Sequence, residues 1–273
     1  MKIAISGASG FIGSHVRKKF DNFITMNRND SEDEILTKLA GVDTVINLTG
    51  EPIMQKWDEQ CKEMLYSSRI ESTKKLVNAI NKSKVKQFIS TSAVGIYPND
   101  KVCDESCKEI SQDFLGILCE EWEKEANKCI KPTAIFRLGV VLGIDGGAFE
   151  AILPSYKMGL GGVIGSVKVI TSWIDIDDLI NMYGFVIKER LDGIFNAVSP
   201  NPVNNLVFAK TLGKILHRPT FLPLPAMIIK MIYGEGAIVL TGSKEIYPNA
   251  LKKYGFKFKY SDINSSFRHL LGA

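Results

Sequence analysis

The chain has 273 residues, of which 45% are hydrophobic and 23% charged, as in ordinary globular proteins. This length allows one large domain, with or without a small second one. The 34 basic and 30 acidic residues are spread along the chain and leave a net charge of only +4, so no nucleic-acid partner is expected.

Neither a membrane segment nor a secretory signal is expected. No apolar stretch approaches the ~20 residues that span a bilayer, and Lys2 is followed by only a short apolar run before Ser6. The five cysteines are an odd number without the spacing of a metal site, so free thiols and no bound metal are predicted. Two of them, Cys103 and Cys107, share a polar loop. The sequence thus predicts a cytoplasmic protein in a reducing compartment.

Short β-branched runs alternate with segments of helical periodicity up to about residue 142, which predicts βαβ units and a parallel sheet. The predicted strands are 2–6, 23–26, 44–48, 87–90 and 133–138, with a later one at 193–198. The predicted helices begin near Phe11 and then run over about 58–81 and 112–127. The second of these helices is predicted to bury Met64, Leu65, Ile70, Leu76, Val77 and Ile80. Continuous apolar strands between amphipathic helices indicate a Rossmann-type, doubly wound α/β fold.

The character of the sequence changes after residue 142, where glycine-rich irregular segments begin. Residues 1–142 are predicted to form a nucleotide-binding domain to which the strand at 193–198 returns. Residues 143–221 would supply mixed segments on the substrate side, and residues 222–273 a small C-terminal α+β domain. Within that domain, the aromatic and basic alternation at 256–260 predicts an edge strand with one apolar face.

A glycine motif lies between the first strand and the first helix, with Gly7, Gly10 and Gly13 in the spacing GxxGxxG. Glycine lets the backbone turn sharply and lets a diphosphate approach without a Cβ in the way. The helix N-terminus then offers free N–H groups and a positive dipole end to the anion. A strand before and a helix after are the context that this motif requires. The predicted dinucleotide contacts are Gly7, Ser9, Gly10, Phe11 and Ile12.

The end of the second strand indicates which dinucleotide is bound. An acid at this point would bind the ribose 2′-hydroxyl, whereas an arginine accommodates a 2′-phosphate. The chain has Asn27 and Arg28 here, and Arg28 can form a charge-assisted fork with phosphate. Asp30 is the competing candidate, and a solvated loop charge is the other interpretation of Arg28. The residues favour NADP(H).

Further segments carry a resemblance that covers nearly the whole chain. They are the glycine turn, 45–53, Trp57, 68–69, 90–95, 137–143, 146–147, 160–162, 165–166 and 172–178. In these segments the chain resembles the extended short-chain dehydrogenase/reductase superfamily. More narrowly, it resembles an atypical branch of NAD-dependent epimerases with a C-terminal domain of unknown function of the DUF1731 type, some members of which are labelled cell-division inhibitors. The resemblance implies further cofactor contacts at Leu48, Thr49, Gly50, Arg69, Gly139 and Val141.

The catalytic residues of the superfamily are only partly present. Its members usually combine a Ser or Thr with a Tyr and, four residues later, a Lys on the same helix face, which lowers the pKa of the phenol. Ser92 matches the hydroxyl position and is the predicted catalytic residue. Phe114 and Leu118 occupy the Tyr and Lys positions, and neither can transfer a proton. The proton donor is therefore left unassigned.

Three other features are interpreted as structural. Tyr97 and Lys101 match YxxxK as a string, but Pro98 disfavours a helix there, so their side chains need not share a face. Cys119 lies on an apolar helix face and is predicted to be an inert core thiol. Asp177 and Asp178, between a strand and a helical run, are predicted to cap that helix.

Two functions are compatible with the sequence. The leading hypothesis is an NADP(H)-dependent reductase or epimerase acting on an unknown small molecule, with Ser92 or a water bonding the reacting oxygen. The alternative is a catalytically degenerate regulatory protein that senses NADP(H), which the absent Tyr/Lys pair favours. Family labels alone add a link to cell division. The sequence leaves a homodimer open.

Overall fold

The computed structural model describes residues 1–273. In chain order, the strands are β1 (Ile3–Ser6), β2 (Phe23–Met26), β3 (Thr44–Asn47), β4 (Gln87–Ala93), β5 (Val102–Cys103), β6 (Thr133–Leu138), β7 (Val140–Leu142), β8 (Ile170–Thr171), β9 (Trp173–Asp175), β10 (Gly193–Ala197), β11 (Val203–Asn204) and β12 (Glu245–Ile246). The α-helices are α1 (Phe11–Lys19), α2 (Glu32–Lys38), α3 (Glu59–Ser67), α4 (Ile70–Lys82), α5 (Phe114–Ala126), α6 (Gly147–Lys157), α7 (Ile176–Glu189), α8 (Asn205–Leu216), α9 (Ala226–Tyr233), α10 (Ile238–Thr241), α11 (Asn249–Lys253) and α12 (Ile263–Leu271). Two 3₁₀ turns lie at Val94–Ile96 and Glu235–Ala237.

The central sheet has six parallel strands in the order β2-β1-β3-β4-β6-β10. The predicted Rossmann-type α/β fold is confirmed, and the predicted strands 23–26 and 133–138 match β2 and β6 residue for residue. The predicted return of the 193–198 strand is also observed, because β10 pairs with β6. β2 pairs with one edge of β1, and β3 pairs with the opposite edge. The carboxyl ends of β1 and β3 therefore border the topological switch point, where such sheets bind ligands.

Helices cover both faces of the sheet, as the apolar strands require. Along β1 the side chains alternate, so that Ile3 and Ile5 pack into one core cluster and Ala4 packs into the other. The first cluster is covered by α1 and α7, and the second by α2, α4 and α5. The switch point thus lies between two closely packed apolar layers that leave its strand ends little freedom to move.

The predicted long helix over 58–81 is wrong in one respect, because it is two helices, α3 and α4, which meet at Ser68 and Arg69. The Ser68 hydroxyl donates to the carbonyl of Leu65 at 3.1 Å and accepts from the amide of Glu51 at 3.2 Å. Side-chain bonds of this kind compete with the helical pattern. Among the residues predicted to be buried on this helix, only Met64 is wrong, with 43% of its surface exposed, because the adjacent Leu65 takes the core position.

The predicted edge strand at 256–260 is also wrong. Phe256 is buried while Lys257 and Lys259 are exposed, so the alternation does mark an apolar face, but the segment pairs with no strand. The amides of Lys259 and Tyr260 instead donate to the Asp178 carboxylate at 2.9 and 2.8 Å. Asp178 is therefore occupied by this segment.

The prediction that Asp177 and Asp178 cap α7 is also wrong. Asp175, one position before α7, accepts from the amide of Asp177 at 2.9 Å. The rule that an acid caps the start of a helix holds, but it applies two or three residues earlier than predicted.

The remaining strands form two-stranded pairs outside the central sheet: β5 with β12, β7 with β9 and β8 with β11. In the C-terminal segment α12 packs on α8, and α11 lies beside β10. On α9 only Ile229 is buried, whereas Met227 and Met231 are more than three-quarters exposed, at 77% and 76%. Across the whole chain, each helix is too short or too polar to cross a bilayer.

Candidate functional site

The turn between β1 and α1 is built so that only glycine fits at two positions. Gly7 has φ +76°, and a Cβ there would lie 2.6 Å from the carbonyl oxygen of Leu48. A Cβ on Gly13 would lie 2.3 Å from the carbonyl oxygen of Gly7. Gly10 is the N-cap of α1 and brings no side chain to bond its first turn. The N–H groups of that turn therefore remain available to an anion, as the motif predicts.

A cavity of about 250 Å³ opens beside this turn, at the carboxyl ends of β1, β2 and β3. Its lining residues are Gly7, Ala8, Ser9, Arg17, Thr25, Met26, Asn27, Arg28 and Thr49. Five residues predicted to contact the cofactor, from three separate loops, thus meet around one space. No carboxylate lines this cavity, and two arginines do, so the space favours an anionic group.

The two candidates at the end of β2 are placed differently. Arg28 is half exposed, lines the cavity and forms an ion pair with Glu51. Asp30 is buried outside the cavity, where it accepts from the amide of Asn27 at 2.7 Å and from Lys38 Nζ at 2.5 Å. Burial raises the pKa of the Asp30 carboxyl, but these bonds outweigh burial and the net pKa is lowered. Asp30 is therefore committed to its own loop, and Arg28 is the one of the two that lines the cavity.

Arg17 was missed by the sequence reasoning. It lies in the last turn of α1, where it reads as one of three consecutive basic residues at a helix end. A usable signal was present, since Arg17 follows Gly10 by seven residues, and two helical turns place both on the same face. The face that begins at the glycine turn therefore also carries a cation into the cavity.

The loop after β3 is held by Arg69. Leu48 extends the ladder by donating to the carbonyl of Ser6 at 2.9 Å, and the Thr49 hydroxyl bonds that of Ser6. Arg69 Nη2 donates to the carbonyl of Glu51 at 2.7 Å, and a Cβ on Gly50 would lie 3.2 Å from its guanidinium carbon. Burial lowers the pKa of Arg69. The side chain predicted to touch the cofactor thus fixes the course of the loop at Gly50.

The predicted contacts near the nicotinamide lie in closely packed backbone. A Cβ on Gly139 would lie 2.5 Å from the carbonyl oxygen of Ser172. Val141 pairs with Ile174 between β7 and β9. The Phe11 ring packs directly on Gly146, where an added Cβ would lie 2.4 Å from the ring.

Ile12 packs against the same core cluster as Phe11. Both side chains face the protein interior. A ligand would therefore meet Phe11 and Ile12 through their backbone N–H groups.

Ser92 belongs to a buried polar network. It is 1% exposed, and its hydroxyl donates to Glu123 Oε1 at 2.7 Å. Arg137 donates to both carboxylate oxygens of Glu123, at 2.8 and 2.7 Å, and to the Tyr97 hydroxyl at 2.8 Å. The hydroxyl predicted to be catalytic is thus engaged inside the protein, and this geometry lends no support to its contact with a substrate.

The residues interpreted as structural behave accordingly. The Tyr97 hydroxyl is buried and donates to Asn196, whereas Lys101 pairs with Glu109 at the surface, so the YxxxK string does not form a catalytic pair. Burial raises the pKa of Cys119 to about 11, which keeps it an unreactive thiol.

Phe114 and Leu118, at the Tyr and Lys positions of the superfamily, both belong to one apolar cluster with Trp57. That cluster also includes Ile238 from α10. The start of α5 therefore presents an apolar surface at the positions that the resemblance assigns to the Tyr and Lys of the superfamily.

Comparison with known proteins agrees with this geometry. A model of the NAD dependent epimerase/dehydratase family matches residues 3–113, and one of a domain of unknown function, DUF1731, matches residues 224–270. The epimerase family protein SDR39U1 homolog, chloroplastic, of Arabidopsis thaliana is 33% identical over 99% of this chain and 87% of its own length. The chain belongs to the NAD-dependent epimerase/dehydratase family. The epimerase family protein YfhF of Bacillus subtilis is 31% identical to this chain, over 99% of this chain and 98% of its own length.

Solved structures of two epimerase proteins share the fold of this chain. Human epimerase family protein SDR39U1 (isoform 2), crystallised with NADPH, superposes with a TM-score of 0.92 at 27% identity, over 100% of this chain and 99% of the other. A nucleoside-diphosphate sugar epimerase from Corynebacterium glutamicum gives a TM-score of 0.77 at 29% identity, over 100% of this chain but 58% of the other. The resemblance inferred from the sequence is confirmed.

Proposed function

We propose that this protein binds NADP(H) and uses it to transfer a hydride to or from a small molecule, as a reductase or an epimerase. The observation that carries the proposal is the cavity beside the glycine turn, which Arg17 and Arg28 line and no carboxylate enters. Gly7, with φ +76° and the backbone of Leu48 beside it, gives the turn the course that leaves the first N–H groups of α1 open to a diphosphate. The human relative of this fold was crystallised with NADPH, which supports the same assignment.

The residues would divide the work as follows. The N–H groups at the start of α1 hold the diphosphate, and Arg17 and Arg28 hold the 2′-phosphate. Arg28 leaves Glu51 to do so, and Arg69 keeps the loop at Gly50 in place through the carbonyl of Glu51. When bound, the cofactor supplies hydride chemistry at its nicotinamide ring. A reducing compartment such as the cytoplasm is part of the proposal, supported by five unpaired cysteines.

A sensor of NADP(H) without turnover is the second candidate, and one observation favours it. Phe114 and Leu118 are packed in an apolar cluster where a proton donor is usual, and the Ser92 hydroxyl is occupied by Glu123. If the protein is an enzyme, the proton must come from a water or from the substrate itself. An apolar site of this kind would suit a substrate of low polarity.

Cofactor titration tests the first half of the proposal. We expect the wild-type protein to bind NADPH more tightly than NADH in calorimetry. Arg17→Ala and Arg28→Ala should each weaken NADPH binding about 10- to 100-fold, the loss of one charge-assisted hydrogen bond, and leave NADH binding nearly unchanged. Arg268→Ala, at an exposed arginine on α12, is the matched control. Equal affinity for the two cofactors would contradict the proposal.

Isotope transfer separates a reductase from the sensor. NADPH deuterated at C4 is incubated with the protein and an extract of small metabolites. A reductase moves deuterium into a metabolite that mass spectrometry can detect, whereas a sensor leaves the label on the cofactor. An epimerase takes its hydride from the substrate and returns it, so it is detected instead by incubation with NADP⁺ and by conversion of one stereoisomer of a metabolite into the other. The double variant of Arg17 and Arg28, which should no longer hold NADPH at the concentration used, is the control for transfer at another site.

A further inference from the structure

Two cysteines lie side by side in the turn that follows β5. Cys103 is the last residue of β5, and the amide of Cys107 donates to the carbonyl of Asp104 at 3.1 Å, which turns the chain back on itself. The two Sγ atoms are 2.8 Å apart. A disulfide bond is ~2.05 Å long, so the sulfur atoms need to approach by only about 0.8 Å to become bonded. The backbone turn already holds them for that step.

The two thiols differ in their access to solvent. Cys103 is buried, whereas Cys107 is partly exposed and lines a cavity of about 270 Å³ together with Glu105 and Lys108. Of the other cysteines, Cys61 and Cys119 are buried and Cys129 is partly exposed. No sulfur–sulfur contact involves any of these three. The chain thus has one pair of neighbouring thiols, with one member open to a small reactant.

We propose that Cys103 and Cys107 form a reversible intramolecular disulfide by exchange with low-molecular-weight disulfides such as oxidised glutathione. The Cys107 thiolate attacks the small disulfide, which gives a mixed disulfide and releases one thiolate. Cys103 then loses its proton and attacks Cys107 Sγ, which releases the second thiolate. In total, two protein thiols and one small disulfide become one protein disulfide and two small thiols, with two electrons passing to the small disulfide.

The order of attack follows from the two environments. Burial, together with the neighbouring Cys107, raises the pKa of the Cys103 thiol. Cys103 therefore stays protonated until its partner carries the mixed disulfide, and it acts as the resolving thiol. Cys107 faces the cavity and meets the reactant first.

The disulfide would strengthen the contact that residues 103–107 make between the central sheet and the C-terminal segment. The amide of Tyr247, just after β12, donates to the carbonyl of Cys103 at 3.0 Å. Between the two cysteines, Glu105 accepts from the amides of Asn196 on β10, at 2.9 Å, and Ala250 on α11, at 3.1 Å. A disulfide across this turn restricts the loop that carries Glu105, so oxidation should stabilise this contact between the sheet and the C-terminal segment.

Redox titration with thiol mapping tests the proposal on the full-length protein. The wild-type protein is equilibrated in glutathione buffers of rising potential, the remaining thiols are alkylated and the peptides are identified by mass spectrometry. We expect Cys103 and Cys107 to lose alkylation together and to appear in one cross-linked peptide, while the other three cysteines stay alkylated. The Tm should rise by a few degrees on oxidation and fall back on reduction.

Variants distinguish the attacking thiol from the resolving thiol. In Cys103→Ser, Cys107 should be trapped as a mixed disulfide with glutathione, whereas in Cys107→Ser the buried Cys103 should remain free. Cys129→Ser, which removes the other partly exposed cysteine, should form the bridge as the wild type does. Five free thiols in the oxidised wild type, a bridge between another pair, or modification of Cys103 in Cys107→Ser would each overturn the proposal.

Discussion

The strands of the central sheet in the first 142 residues and the strands that follow them are bonded in different ways. In the first region, β1, β3, β4 and β6 form an unbroken parallel ladder in which backbone groups bond one another. In the second, apart from β10, the strands have only two or three residues, and polar side chains complete the bonding. Ser172 donates to the carbonyl of Lys244 at 2.7 Å, and Ser199 to that of Ser261 at 2.8 Å.

This difference bears on what each region can do. A ladder fixes many backbone positions at once, so the loops at its end can present N–H groups to a ligand with little movement. Single side-chain bonds fix one point each and can be exchanged independently. The cofactor side of this molecule is of the first kind, and the region after residue 142 is of the second. We therefore expect mutations in the first region to cost most.

The largest expected effect concerns the buried ion pair behind β4. Glu123→Ala leaves Arg137, which is 7% exposed, without its partner, and breaking such a pair costs about 3–5 kcal/mol in the free energy of unfolding. Urea denaturation measures this loss. The control is Glu32→Gln, which removes one partner of the exposed pair with Lys82 and should leave the urea midpoint unchanged. A loss below about 1 kcal/mol for Glu123→Ala would show that water replaces the carboxylate there.

The next effect tests whether the glycine turn depends on its surroundings or only on its backbone angle. Gly7 has φ +76° and the backbone of Leu48 beside it, whereas Gly41 has φ +72° and no atom within 4 Å of an added Cβ. Both alanine variants carry left-handed strain of about 1 kcal/mol. Gly7→Ala should cost about 2 kcal/mol more, because its Cβ pushes the turn away from β3.

Cofactor binding should separate these two variants further. We expect Gly7→Ala to weaken NADPH binding about 100-fold, and Gly41→Ala to leave it unchanged. Urea denaturation and calorimetry give the two quantities. Similar losses for both variants would mean that backbone strain, and not contact with β3, is the reason that the turn requires glycine at position 7.

A third expectation concerns the second region, where a carboxylate is buried at the start of α7. Burial raises the pKa of Asp175 to about 6, against hydrogen bonds from Ser266 and the amide of Asp177 and against the charge of His269. The unfolded carboxyl titrates near 3.8, so between pH 4 and 6 the native state binds more protons and the free energy of unfolding falls as pH rises.

Asp175→Asn should remove that slope. It should stabilise the protein above pH 6 by up to about 3 kcal/mol, since one pKa unit corresponds to about 1.4 kcal/mol. The same change at Asp177, whose side chain is 45% exposed, should keep the slope. Thermal denaturation from pH 4 to 8 measures both variants, and an unchanged slope in Asp175→Asn would assign it to another group.

The contrast between the regions also explains what could be predicted from the sequence. Periodicity finds ladders, so β2 and β6 were predicted to the residue, and the glycine turn led to the cavity beside it. The segment 256–260 has the same alternation, but its amides bond Asp178, about 80 residues earlier in the chain. Alternation reports which side faces the core and cannot report which group accepts a backbone N–H. Arg17 was missed because a basic residue at a helix end already has an ordinary explanation.

The smallest expected effect decides the role of Ser92. Its hydroxyl donates to Glu123, which keeps both bonds from Arg137 when the serine is removed. Ser92→Ala should therefore cost only about 1 kcal/mol in the free energy of unfolding and leave NADPH binding unchanged. Once deuterium transfer gives a rate, that rate should also stay within about twofold of the wild type. A fall of about 100-fold with unchanged stability would instead return Ser92 to the reaction, since general acid or base groups contribute that much. It would also mean that β4 and α5 separate enough in the working protein for a substrate to compete with Glu123.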